Sequence, residues 1–287
     1  MQKVAVIDVG SNSIKLAVFG RNGNEFSRVG KARAKLRIAE GAEQQQAALE
    51  LIQKYNQLAI DNGAEQIKIV ATEATRNLPD FAKQLANLGI DYQIITGQQE
   101  AEYIGKVVQY SFDNPQGYVF DLGGGSLDIC YLNEGSIKRP TSLPIGYNQN
   151  IDIVLACNQL TNIIKNYSDN IYLTGGLPKY FLEGYFTKNQ PQFKKHQLNG
   201  KHARASNFVQ YLQKLDARQS TDFKREEVIN YAQQIIMHIT HTTNAKTIYA
   251  SKFGLREAIA YDLYNDDNLT IISQQQPASI LQELYHH

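Results

Sequence analysis

Two six-residue segments, DVGSNS (8–13) and DLGGGS (121–126), each end one apolar β run and open another. The residues around them repeat one order of elements. VAVIDVG (4–10), SIKLAVFG (13–20) and NEFSRVGKARAKLRI (24–38) read as three strands. Ala48, Leu51, Ile52, Tyr55, Leu58 and Ala59 keep helical spacing over 46–62, and Asn62-Gly63 stops the helix. A strand at 66–72, a helix at 79–89, a strand at 91–96 and a helix at 98–112 complete β-β-β-α-β-α-β-α. The order restarts with strands at 118–122, 126–132 and 136–143. A helix over about 148–166 is expected to turn Ile151, Val154, Leu155 and Ile163 inward. A strand at 170–176, a short helix through Tyr180 and Phe181, a helix at 226–239, a strand at 246–251 and a helix at 254–264 follow. Strands alternating with helices place the helices on the faces of a sheet. The fold class expected is α/β: two similar domains, 1–117 and 118–274, flanking a cleft. The second carries a basic insertion near 187–221, and a terminal helix at about 275–287 (within it PASILQELY, 277–285) packs back on the first.

The glycine-rich turns suggest a chemistry. A tight turn of small residues exposes backbone N–H groups, and such a nest binds anionic oxygens. A single turn of this kind is also explained as a hairpin; its recurrence in the same slot of two halves favours phosphate. Ser11, Asn12 and Ser13 line the first turn, and Gly123, Gly124, Gly125 and Ser126 the second. The leading aspartates repel phosphate. Asp8, Asp121 and Asp128 are either turn residues bonded to local backbone or ligands of a cation. An unpaired carboxylate ending an apolar strand is costly, which favours a divalent cation, Mg²⁺ or Mn²⁺.

In KARAKLR (31–37), Lys31, Arg33, Lys35 and Arg37 alternate with small or apolar residues, so period two puts all four cations on one face. The stretch reads equally as a solvated edge strand or as a basic rail for a polyanion, with Arg37 as its phosphate contact. A second cluster, KKHQLNGKHAR (194–204), reads more readily as a solvated loop. Net charge over all 287 residues is only +1, so phosphate affinity must be local and no specific nucleic acid is expected as partner. The two cysteines, Cys130 and Cys157, lack metal-ligand spacing and suit a reducing, cytoplasmic setting. No leader and no membrane segment are expected. The histidines form no ligand pair, with His238 and His241 read as helix-surface residues, and Ser11, Ser13 and Ser126 have no flanking His or Asp arrangement for a triad.

These motifs, with ATEATRN (71–77), GQQEAEYIGKV (97–107), SLPIG (142–146) and GLREAIAYDL (254–263), resemble in order those of the exopolyphosphatase/guanosine-pentaphosphate phosphatase family. The resemblance runs from near residue 4 to about 265. It implies the sugar kinase–chaperone–actin ATPase superfold, whose two domains are ribonuclease-H-like. It also implies roles: Glu100 activates the attacking water, Arg76 clamps a substrate phosphate, Asp121 belongs to the metal site, and Arg256 matches the arginine of the family's GLREG stretch. Three positions depart from the family pattern, namely Gln99 for glutamate, Asp128 for glutamate and Ala258 for glycine. The second domain is trimmed, and the extra C-terminal helical domains of long members are not matched.

The sequence therefore reads as a metal-dependent hydrolase of phosphoanhydride bonds acting on inorganic polyphosphate or guanosine pentaphosphate, with homodimerisation left open. Two rivals stand beside it. One is an ATP-dependent small-molecule kinase or ATPase, with LTGG (173–176) cupping the base. The other is a catalytically silent sensor of phosphorylated nucleotides.

Overall fold

A computed structural model of the chain describes residues 1–216, 226–265, 270–272 and 279–280. The chain divides into two compact units, one of Met1–Glu100 with the described residues from Leu255 onward, the other Ala101–Gly254.

In the first unit, β1 (Lys3–Val9), β2 (Ser13–Asn22) and β3 (Glu25–Lys35) form an antiparallel meander. A 3₁₀ turn at Ile38–Glu40 leads into α1 (Ala42–Asp61), which presents Ala48, Leu51, Ile52, Tyr55 and Ala59 to the core at the spacing the sequence displays. β4 (Gln66–Ala71) lies parallel beside β1. The one-turn helix α2 (Glu73–Arg76), absent from the sequence reading, and α3 (Pro79–Ala86) lead to β5 (Tyr92–Ile94). Proline at the first position of α3 sacrifices no hydrogen bond, because that N–H has no intrahelical partner anyway. α4 (Gly97–Ser111) begins at Gly97 and continues past Glu100 into the second unit. β1 is buried along Val4–Val9, as a central strand covered on both faces must be.

The second unit repeats the scheme. β6 (Gly117–Leu122), β7 (Leu127–Asn133) and β8 (Ser136–Leu143) form the meander, followed by α5 (Ile153–Ile163), β9 (Asn170–Thr174) and α6 (Gly176–Asn189). Strand order is β3-β2-β1-β4-β5 in the first sheet and, with β11 (Thr247–Ala250), β8-β7-β6-β9-β11 in the second. Each unit thus has the ribonuclease-H-like arrangement of three antiparallel strands followed by two parallel ones.

Several sequence expectations are revised. The basic stretch near 187–221 is structured where described, with a 3₁₀ turn at Lys195–Gln197, β10 (His202–Arg204) and α7 (Ala205–Gln213). β10 extends the sheet antiparallel to β11 (Thr247–Ala250), and Leu198, Ala203, Phe208 and Leu212 are buried beneath the charges. α5 starts at Ile153, not 148, because residues 146–148 are held by the Gly123–Gly125 turn. Asp152 caps the helix by accepting from the Val154 and Leu155 amides. Ala156 and Leu160 face the core, whereas Val154 (64%) and Leu155 (52%) are exposed. His238, on α8 (Glu226–Thr242), is half-buried rather than on the helix surface. Its Nε2 lies 3.0 Å from Thr161 Oγ1 and 3.3 Å from Thr242 Oγ1, and burial pushes its pKa down.

The expected division at 117 and 274 also differs from the one found. α9 (Leu255–Tyr264) belongs to the first unit because its aromatic face packs there. Phe26 meets Tyr261 at 6.0 Å and Tyr264 at 5.3 Å, and Arg28 pairs with the buried Glu257 at 3.5 Å. β12 (Thr270–Ile271) and β13 (Ser279–Ile280) then run parallel to β3. Of the terminal helix expected at about 275–287, only 279–280 fall within the described residues, and they form this strand.

Candidate active site

In the first unit, Asp8 near the end of β1 is buried and stands directly opposite Lys15 on β2. Lys15 Nζ lies 3.2 Å from Asp8 Oδ2, and Arg256 Nε on α9 lies 3.8 Å from the same oxygen. The turn that follows is closed by a Gly10 N–H bond to Ser13 O (3.2 Å) and held by a Leu36 N–H bond to Asn12 O (3.2 Å). Ser11 Oγ donates to Glu73 Oε2 at 3.1 Å, and Asn77 Nδ2 donates to Glu73 Oε1 at 3.1 Å. Neither Lys15 nor Glu73 was singled out from sequence. Glu73 stands inside ATEATRN, and Lys15 follows Asp8 by seven residues, as Asp128 follows Asp121.

Arg76 and Glu100 form one unit of structure. Arg76 Nη1 donates to the Ile95 carbonyl at 2.6 Å and to Glu100 Oε2 at 3.2 Å. Glu100 lies in the first turn of α4, where the helix dipole favours a carboxylate. The arginine therefore fixes the orientation of the glutamate.

Three of the four cations of the basic stretch keep to one face. Lys31, Arg33 and Lys35 on β3 stand opposite Ala17, Lys15 and Ser13, so they share a sheet face with Asp8. Arg37 does not join them. β3 ends at Lys35, Ile38 is buried in the following turn, and Arg37 Nη1 pairs with Glu40 at 2.9 Å on the exposed surface. Nor is β3 a free edge, since β12 and β13 pair along it.

In the second unit the topological counterpart of the Asp8–Lys15 pair is Asp121 opposite Asp128. Two carboxylates thus face the same side across adjacent strands, where like charges directly opposite destabilise a sheet. Ser126 Oγ donates to Asp128 Oδ2 at 3.2 Å. Next to them Cys130 is buried, and burial foremost, with Asp128 and Glu102 adding, drives its thiol pKa far upward.

None of Gly123–Gly125 has positive φ; the close approach that excludes a side chain is made by Gly146, which packs on their backbone. A side-chain carbon on Gly146 would lie 2.5 Å from the Gly124 carbonyl carbon. The backbones interlock: the amides of Gly146, Tyr147 and Asn148 donate to the carbonyls of Gly125 (3.3 Å), Gly123 (3.1 Å) and Gly124 (2.9 Å). Gly175 serves a different need. It has φ +93°, and a Cβ there would lie 2.5 Å from Asp121 Oδ1. The LTGG stretch considered for a nucleotide base therefore makes room for the Asp121 carboxylate at the start of α6.

Among the described residues, no three His, Cys, Asp or Glu side chains gather as a metal cage. Mg²⁺ does not require one, since it is usually bound by one or two carboxylates, water and substrate phosphates. Asp121 and Asp128 fit that donor set. Asp8 already faces two cations, so the cost of its burial is met without a metal.

Residues 17–161 match the Ppx/GppA phosphatase family. Over 155 residues the chain is 31% identical to the guanosine-5'-triphosphate,3'-diphosphate pyrophosphatase of Vibrio atlanticus. That match takes in 50% of this chain and 31% of the relative, so the chain spans about a third of that relative's length. The crystal structure of the Aquifex aeolicus Ppx/GppA family member superposes with TM-score 0.79 at 21% identity, covering 93% of this chain and 99% of that one. An exopolyphosphatase from Cytophaga hutchinsonii gives TM-score 0.77 at 17% identity, covering 92% and 98%. At these identities the structural likeness is one of fold.

Proposed function

Because the chain belongs to the Ppx/GppA phosphatase family, we propose that it hydrolyses phosphoanhydride bonds, releasing terminal phosphate from inorganic polyphosphate or guanosine pentaphosphate. The observation that carries this reading is the contrast between the two strand pairs. Asp8 faces Lys15, but Asp121 faces Asp128. A pair of carboxylates in that position is suited to a divalent cation, Mg²⁺ or Mn²⁺, held by Asp121 and Asp128. When bound, such an ion neutralises phosphate oxygens.

The chain's own residues do the rest. The backbone amides of Gly124 and Gly125 bind and orient phosphate oxygens, as do those of the Ser11–Ser13 turn. Lys15 and Arg256 keep the first turn electropositive despite Asp8, and Lys31, Arg33 and Lys35 extend that field along the sheet face. Glu100, held by Arg76, orients the attacking water and accepts its proton. Positioning and electrostatics of this kind are the main resources available for phosphoryl transfer to water. Both cysteines are free thiols, which suits a cytoplasmic enzyme. No helix among the described residues is long and apolar enough to cross a membrane.

The test is phosphate release from long-chain polyphosphate and from guanosine pentaphosphate, with Mg²⁺ and without added ATP. Wild type should release phosphate from at least one, and Glu100→Ala should lose about 10²-fold or more in turnover. Release that requires ATP would favour the kinase reading, and tight binding without turnover would favour the sensor.

A further inference from the structure

We propose that residues 145–148, anchored by Tyr231, form a clasp that sets the aim of the phosphate-binding turn at Gly123–Gly125, with Gly146 and Tyr231 as its positioning residues. The inference rests on the hydrolase reading for its catalytic consequence but not for its geometry.

The turn's own bonds do not hold it. Only the Gly123 amide is used within the turn, donating to Ser126 O at 2.9 Å. The three glycine carbonyls are instead taken by the amides of Gly146, Tyr147 and Asn148. Three successive carbonyls pulled toward one strand of chain force the intervening peptide planes to turn their N–H groups the other way, because each peptide is planar. That leaves the Gly124 and Gly125 amides aimed away from the clasp, as an anion nest requires. The clasp is itself held from behind. Tyr231 on α8 donates its hydroxyl to the Ile145 carbonyl at 2.9 Å, and the Ile145 amide bonds to Leu143 O at 2.8 Å. Burial pushes the Tyr231 pKa up to about 12, so the hydroxyl stays a donor throughout the working pH range.

The first unit shows how much of this is added. Its turn has the same closing bond, Gly10 N–H to Ser13 O, but one strap, from Leu36 N–H to Asn12 O, in place of three. Its second position is Ser11, tied to Glu73. The second turn has glycine there and no side chain to tie, so its orientation depends on the clasp.

Two variants test this in the full chain. Gly146→Ala pushes a methyl against the Gly124 and Gly125 backbones. Tyr231→Phe removes one hydroxyl and keeps the ring. Amide exchange is followed with and without saturating inorganic phosphate, and phosphate release from polyphosphate is measured in parallel. In wild type the amides of 146–148 should exchange slowly, and phosphate should protect those of 124 and 125. Gly146→Ala should speed exchange at 146–148, abolish the phosphate protection, and lower kcat by about 10²-fold, as expected when donors no longer point at developing charge. Tyr231→Phe should lower kcat by about 3- to 10-fold with KM little changed, the worth of one hydrogen bond. Wild-type exchange and kcat in both variants would overturn the clasp. Should Gly146→Ala fail to fold, Tyr231→Phe decides alone. An inactive wild type would refute the hydrolase reading, while its amide exchange would still decide the clasp.

Discussion

Asp128→Asn should make the protein more stable without metal and less responsive to it. The substitution removes one charge, keeps the shape, and leaves an amide oxygen to accept from Ser126 Oγ. Residues directly opposite on antiparallel strands have Cβ atoms about 5 Å apart. Two unit charges at about 5 Å repel by about 3 kcal/mol at an effective dielectric of about 20. Asp128 is 6% exposed and Asp121 half-buried, so water relieves part of that, and about 1–3 kcal/mol is the range to expect. For a domain the size of the second unit, each kcal/mol moves Tm by about 2–4 °C. In EDTA the variant should therefore melt several degrees above wild type. Adding Mg²⁺ to ten times its dissociation constant should stabilise wild type by about 1.4 kcal/mol, closing or reversing the gap, and should do much less for the variant. The assay is a pair of melting curves for each protein, with EDTA and with Mg²⁺. A variant no more stable in EDTA, or one that gains as much from Mg²⁺ as wild type, would refute the argument that this pair holds the cation.

Other expectations follow from the same geometry. Arg76→Lys keeps the charge but on a shorter side chain with a differently shaped head, displacing the one nitrogen, Nη1, that donates to both Ile95 O and Glu100 Oε2; kcat should fall about tenfold or more with an unchanged melting curve, and unaltered kinetics would remove Arg76 from orienting Glu100. Gly175→Ala combines positive φ with a methyl pressed on Asp121, so a loss of about 1–3 kcal/mol and a weakened Mg²⁺ response should appear in the same melting assay. Burial holds the His238 pKa below its ordinary value, so the unfolded chain takes up this proton first as pH falls below about 6.5. Its contribution is present above that pH and is lost as pH falls toward the depressed folded value. His238→Gln should accordingly flatten the acid side of a Tm–pH profile, and an identical profile would show that the ring does not titrate differently on folding.

Much was legible in the sequence because it depends on neighbours along the chain. Periodicity marks strands and helices wherever one face is buried, and the repeated order of elements survives errors in their ends. The duplicated Asp-x-Gly turns and the family motifs were equally local, and they singled out Asp8, Asp121, Asp128, Arg76 and Glu100 as candidates. Partnership was not legible, because it joins residues far apart in the chain. That Asp8 is neutralised by Lys15 and Arg256, that Glu73 receives Ser11, and that Glu100 is steered by Arg76 depend on strand register and helix placement. The same limit misplaced α9, whose apolar face predicts a helix but does not say which sheet covers it. It also turned Val154 and Leu155 inward, since hydrophobic spacing cannot reveal that residues 146–148 are already engaged and delay the helix. The three glycines state the case most clearly. By composition they announce a tight turn that costs chain entropy, and only the tertiary structure shows what holds it: the amides of Gly146, Tyr147 and Asn148 donate to its three carbonyls, with Gly146 packed too close for a side chain of its own.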